Sequence, residues 1–418
     1  MGRGILEKGE VVRIYWHSTA PWSPSSYSVL TMRAVPPIVR AGYEVVLGTW
    51  YGLQGQPMPW TIQANGKKAT SVRVLPHHQV GGNTYGEAIM VENYRRNECD
   101  VMMTVCDVFV FPPEETSKTN FAPWLPIDTS PVAGGIVRAL GPAIYPMCYS
   151  QFGVDELAKA GINAKYVPCG APMDVFTPGD KAEARTRFDL GREFDFLVSM
   201  IAANKDANDR KGFAVALQGF AQFVERRPEA QAVLYVHTDW GGPIKVGEIA
   251  KSLGVGEHVV QPDQYGYIMG MLGEQYMVDV YRASDVLLNP AKSEGFGLPL
   301  VEAQMCGCPV IATDFANTDE LLSAGWKVGG HRAWYPGAEA WRMEVEPGQI
   351  ADAMEEAWQE RDNPKLREKA RKGVAKYDQE AVFEKYWRPA LRDIKKLVDA
   401  GKSFSLPEPL PLGGEQAE

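Results

Sequence analysis

Short apolar runs alternate with amphipathic stretches along most of the chain, and this alternation predicts strands and helices in turn. Residues 11–18, VVRIYWHS, are β-branched and aromatic and lead into the Pro/Ser loop TAPWSPSSYS. A helical stretch, VLTMRAVPPIVR, follows and closes at Ala41-Gly42, and residues 44–49 form a short apolar strand. This is one strand-helix-strand unit of the parallel α/β kind. The pattern predicts further buried strands at 99–111, at 143–150 before the helix QFGVDELAKAG, and at 164–170. In the looser stretch APMDVFTPGDKAEAR the first domain is expected to end.

A second series starts at FDFLVSMIAAN, residues 194–204. It runs through the helix GFAVALQGFAQFVERRPEA, the strand AVLYVHT, a helix at 244–253 and the strand HVVQP at 258–262. The helix EQYMVDVYRAS and the strand DVLLNPA come next, and CPVIATD, 308–314, is the last strand read. Helical sequence from 347 to about 402 is broken near Asn363-Pro364, and the Pro-rich acidic tail is expected to be disordered. The fold class expected is α/β, with two Rossmann-like doubly wound parallel-sheet domains at 1–172 and 173–376, a last helix at 377–402 and a tail at 403–418.

Composition agrees with two cores. The 418 residues are 45% hydrophobic and 23% charged, and no apolar run is long enough to cross a bilayer. No secretory signal is read, so a cytoplasmic location and no stable membrane insertion are expected. The six cysteines are scattered among apolar residues and the six histidines have no metal-ligand spacing; reduced, buried thiols and no metal site are expected. A net charge of -9 argues against a general polyanion-binding surface.

The richest stretch is SEGFGLPLVEAQMCGCPVI, residues 293–311. Pro299 suits the first turn of a helix reaching about Cys306, with Gly307 as its C-terminal cap. Glu302 then lies one turn in, its side chain leaning back toward the glycine loop that carries Glu294. Gly295 and Gly297 allow close backbone approach, and the free N–H groups at the helix start favour an anion. A phosphate cradle beside two hydroxyl-accepting carboxylates suits a nucleoside-diphosphate sugar. A plain turn with a solvated glutamate is the bland alternative, but the loop follows a strand, at the end where open α/β sheets bind ligands.

EGFGLPLVE, with its flanks YRASDVLLNPAKS and AQMCGCPVIATD, resembles the Glu-x7-Glu signature of retaining glycosyltransferases of the GT-B fold, in particular family 4. The resemblance implies two facing domains with a cleft between them, and a last helix that crosses back to the first. It places Glu294 by the hydroxyls of the donor sugar, Glu302 on the ribose, and Gly295, Phe296, Gly297 and Leu298 in the donor loop. In NKDANDRKGF it assigns Lys205 and Lys211 to the donor diphosphate, with Asn204 and Arg210 beside them. No Asp-x-Asp occurs, which fits a metal-independent mechanism. The region 261–267 would read the nucleobase of a UDP or GDP sugar, with Tyr265 or Tyr267 stacking on it.

Ser25, Ser26 and Ser28 stand where many relatives have the glycines of a glycine-rich loop, with Tyr27 between them, and Ser25, Ser26 and Tyr27 are acceptor-side candidates. Asp107, past the strand VMMTV, is the best acidic candidate facing the cleft. Trp326, Trp334 and Trp341 are expected to pack rather than to line an acceptor cleft. The implied reaction is hexose transfer with retention, needing no cofactor, to an acceptor that is a glycan, a protein, a small molecule or modified nucleic acid. The same fold also supports a nucleotide-sugar epimerase, a phosphorylase or a non-catalytic nucleotide-sugar-binding module.

Overall fold

The computed structural model describes residues 12–64, 67–77 and 84–401. His78 and the tail 403–418 lie outside the described residues. The first sheet has five strands in the order β3-β4-β2-β1-β5: β1 (Arg13–Ser18), β2 (Glu44–Thr49), β3 (Met58–Ala64), β4 (Lys67–Leu75) and β5 (Val101–Thr104). Only β3 is antiparallel, to β4, at the edge. A small parallel sheet follows, with β6 (Trp124–Leu125), β7 (Met147–Cys148) and β8 (Lys165–Tyr166). The second large sheet is all parallel, in the order β11-β10-β9-β12-β13-β14: β9 (Phe196–Ile201), β10 (Ala232–His237), β11 (Val259–Val260), β12 (Val286–Asn289), β13 (Val310–Thr313) and β14 (Gly325–Val328). A hairpin of β15 (Gly330–Tyr335) and β16 (Ala340–Val345) stands apart from it.

Three readings of the pattern change. The segment 99–111 is not one strand: β5 ends at Thr104, and Val108–Val110 is a 3-10 turn. Residues 143–150 and 164–170 contribute two-residue strands to the small sheet, since Pro146 and Pro168 interrupt the ladders on which longer strands depend. The Pro/Ser loop is shorter than expected because Ser25 is already a helix cap. Its Oγ accepts from the Ser28 N–H, and the helix Ser26–Arg40 starts there.

Both large sheets reverse direction next to their first strand. β1 lies between β2 and β5, and β9 lies between β10 and β12. The connections leave such a pair on opposite faces, which opens a crevice at the carboxyl ends of the strands. The C-terminal helices return to the first sheet: Trp387 packs on Trp16 at 5.8 Å and on Trp124 at 4.8 Å. Arg40 pairs with Glu380 at 2.5 Å, and one hydrophobic core is continuous from β1 through β13 to Ile394.

Candidate functional site

In the second sheet the loops after β9 and β12 meet across the crevice. Gly212 makes the first one fit: its φ is +75°, and a Cβ there would lie 2.4 Å from the carbonyl oxygen of Pro290. Asp209 caps the helix Phe213–Arg226 through the N–H groups of Phe213 and Ala214, at 2.8 and 2.9 Å. That fixed turn sets Lys211 Nζ 2.5 Å from Glu294 Oε1. Burial acts to raise the Glu294 carboxyl, but the charges of Lys211 and Arg210 outweigh it and hold it below the ordinary value. Burial lowers the Lys211 ammonium, with Glu294 opposing. Glu294 is therefore ionised at neutral pH, and both groups are only partly covered.

Arg210 reaches the other domain. Its guanidinium donates to the Ser293 carbonyl at 2.7 Å and lies 3.6 Å from Asp128. Ser293 Oγ donates to the same Asp128 carboxylate at 3.1 Å. Across the cleft, the crevice between β1 and β5 joins Tyr27, in the first turn of its helix, to Asp107, whose Oδ2 accepts from the Tyr27 hydroxyl at 3.0 Å. Burial, then the charge of Asp128, raises the Asp107 carboxyl; Tyr27 and Arg210 oppose this. The structure thus brings Glu294, Lys211, Arg210, Asp107 and Tyr27 together, and it adds Asp128, which no periodic or glycine-rich signal marks in the sequence.

The other predicted residues make different contacts. Lys205 is exposed on the loop after β9 and makes no ion pair among the described residues. Asn204 is buried, and its side chain is engaged by the loop after β10: it donates to Asp239 O and Ile244 O and accepts from Ile244 N, at 2.8 to 3.0 Å. Its role is to tie two loops together. Tyr265 is 68% exposed on the helix Gln264–Ile268, whereas Tyr267 packs edge-on against His237 at 5.1 Å. Ser25 is a helix cap also bonded to Thr19 at 3.2 Å, and Ser26 is exposed.

Within the signature the helix runs Leu298–Met305, capped by Gly297 at φ +92° and followed by Gly307 at +79°. Gly295 is also required by packing, since a Cβ there would lie 2.3 Å from Pro126 of the first domain. Phe296 points away from the crevice: it is buried, packs on Tyr377 at 5.6 Å, and anchors the loop. Leu298 is partly buried against the same core. Glu302 is 8% exposed and accepts from the Tyr281 hydroxyl at 2.8 Å. Its other oxygen is 2.8 Å from Arg33 of the first domain, a cross-cleft ion pair that the sequence did not signal.

Residues 198–359, which include Lys205, Lys211 and both glutamates, match the family model described as Glycosyl transferases group 1. The matched stretch lies within the second domain. The chain is 32% identical over 202 residues to a D-inositol 3-phosphate glycosyltransferase of Rhodococcus jostii, covering 45% of this chain and 41% of that protein. It is 35% identical over 178 residues to the same-named protein of Actinosynnema mirum, covering 40% of each. The chain thus spans about two fifths of the length of these curated relatives. Over nearly the whole chain it is similar to a sucrose-phosphate synthase from Thermosynechococcus elongatus, with a TM-score of 0.69, 16% identity, and 94% and 100% of the two chains covered. An Anabaena protein solved with UDP and glucose superposes with a TM-score of 0.63, 15% identity, and 91% and 100% covered. At such identities the likeness is one of fold, and the fold of this chain is GT-B.

Proposed function

We propose that the protein is a retaining glycosyltransferase that moves a hexose from a nucleoside-diphosphate sugar, a UDP sugar before a GDP sugar, to an acceptor hydroxyl. The observation that carries this reading is the Lys211–Glu294 pair, 2.5 Å apart at the reversal point of the second sheet, with Arg210 beside it. Expulsion of a nucleoside diphosphate builds negative charge on the leaving phosphate, and two fixed cations in a partly dry crevice stabilise it without a metal ion. Glu294, held ionised by the same cations, accepts from the hydroxyls of the transferred sugar. Glu302 uses one oxygen for Tyr281 and the other for Arg33, and a carboxylate has further lone pairs for ribose hydroxyls. Two structural neighbours, the Anabaena protein and a pneumococcal O-GlcNAc transferase, were solved with UDP, which favours UDP.

In this reading the acceptor hydroxyl attacks C1 from the face that the diphosphate leaves. Its proton passes to the departing phosphate oxygen, the C1–O bond to phosphate breaks, and the new C1–O bond forms on the same side. No enzyme nucleophile is required. Asp107 and Tyr27 line the acceptor side. Incubation with a panel of nucleotide sugars tests the proposal: release of nucleoside diphosphate that depends on an added acceptor supports it. Exchange of sugar isomers would instead indicate an epimerase, and binding without turnover a non-catalytic module.

A further inference from the structure

Trp334 and Trp341 were expected to pack, yet they are 47% and 41% exposed. They form a directly opposed cross-strand pair in the β15–β16 hairpin, with ring centroids 5.3 Å apart. Alternation along β15 puts Arg332 on the same face as Trp334. The hairpin also spans the cleft. Its Trp341 N–H donates to Ser130 O of the first domain at 2.9 Å, and its Met343 N–H donates to Lys292 O, two residues before Glu294, at 3.0 Å. Tyr335 OH accepts from Asn208, in the loop that carries Lys211, at 3.1 Å.

Beside the hairpin, between the two domains, is a cavity of about 400 Å³ lined by Ser130, Phe152, Asp155, Asp314, Phe315 and Arg332, among others. Phe152 and Phe315 meet edge-on at 6.1 Å, and Arg332 lies 6.0 Å over the Phe315 ring. Ser130 belongs to the segment whose Asp128 touches the donor loop through Ser293 and Arg210. The cavity and the hairpin thus share Arg332 and the contact with Ser130, and Ser130 lies two residues from the Asp128 that touches the donor loop.

We infer that this cavity and the Trp334–Trp341 face together bind the acceptor, and that the acceptor is a neutral carbohydrate of more than one sugar unit. Aromatic faces stack on the C–H faces of pyranose rings, while the carboxylates and the Ser130 hydroxyl bond to sugar hydroxyls. A volume of about 400 Å³ holds a small ligand, and the exposed tryptophans beyond it add contact for a second ring. The lining carries four carboxylates, Asp155, Glu156, Asp314 and Asp319. Glu156 pairs with Lys159, Asp314 and Asp319 share Lys327, and with Arg332 the balance is one negative charge, which favours a neutral acceptor over a phosphorylated one. The inference rests on the glycosyltransferase reading above.

The test is titration calorimetry of the full chain with UDP and, in its presence, with maltotriose, cellotriose and mannotriose, using inositol 1-phosphate as the anionic comparison. At least one neutral trisaccharide is expected to bind. Trp334→Ala and Trp341→Ala should each weaken it tenfold or more and leave UDP affinity within twofold. Should alanine loosen the hairpin, seen by circular dichroism, Trp334→Leu and Trp341→Leu keep an apolar cross-strand pair without a flat ring, and the same loss is expected. If UDP binds but no neutral trisaccharide does, if only the phosphorylated ligand binds, or if binding is indifferent to both tryptophans, the inference is overturned and the transferase reading survives. Failure of UDP itself to bind overturns both.

Discussion

Replacing Arg33 by methionine should cost the fold about 3 kcal/mol. Arg33 lies on the first-domain helix Ser26–Arg40, 6% exposed, and its guanidinium bridges Glu302 at 2.8 Å and Glu274 at 3.0 Å in the second domain. Methionine keeps the apolar stem buried and removes the charge, leaving the buried Glu302 carboxylate with Tyr281 alone. Stranding one partner of a buried pair costs about 3–5 kcal/mol. Two terms push the estimate toward the lower end. The Glu274 side chain is 44% exposed, so its share is at most about 1 kcal/mol. Arg33 Nε and Nη1 have no hydrogen-bond partner among the described residues, a desolvation cost that methionine relieves. Urea unfolding followed by tryptophan fluorescence measures the change at constant m. The double variant Arg33→Met, Glu302→Gln should recover at least half of the loss, because neither charge is then left alone. If Arg33→Met lies within about 1 kcal/mol of the parent, the cross-cleft pair does not hold the domains as described.

Gly295→Ala should destabilise by about 1–3 kcal/mol. It should also reduce turnover more than tenfold, because the new Cβ meets Pro126 at 2.3 Å and displaces the loop bearing Glu294; unchanged turnover would show that the loop yields freely. His17 and His237 are buried, and burial lowers each to about 4. Between that value and the ordinary 6.5 only the unfolded chain takes up the proton, so stability falls as pH drops through this window, by about 3 kcal/mol per histidine. The stability difference between the parent and His237→Gln should change by about 2 kcal/mol between pH 7 and pH 4.5, and a constant difference would contradict it.

The alternation of apolar runs revealed both sheets because parallel strands covered on two faces must be continuously apolar. Residues 286–289 and 310–313, and the helix between them, were legible for this reason, and the glycine loop with Glu294 came with them. What the pattern missed lies where tertiary contacts decide. Asp128 sits in an irregular segment, and only the closeness of Ser293 and Arg210 gives it meaning. Arg33 reads as one more charge on an amphipathic helix until Glu302 is seen opposite. Phe296 shares a motif with Glu294 but faces the other way, toward Tyr377, which lies 81 residues on and has no local signature. The hairpin tryptophans were assigned to packing from composition, and a hairpin standing clear of the sheet exposed them.

The central claim is that the Lys211–Glu294 pair forms the donor site. The most direct measurement is release of nucleoside diphosphate from the best nucleotide sugar by the parent, Lys211→Ala and Glu294→Ala, each confirmed folded by circular dichroism. Loss of at least a hundredfold in turnover is expected in both variants, the scale on which removal of one charge-stabilising group acts. Near-parental turnover in either folded variant would contradict the account.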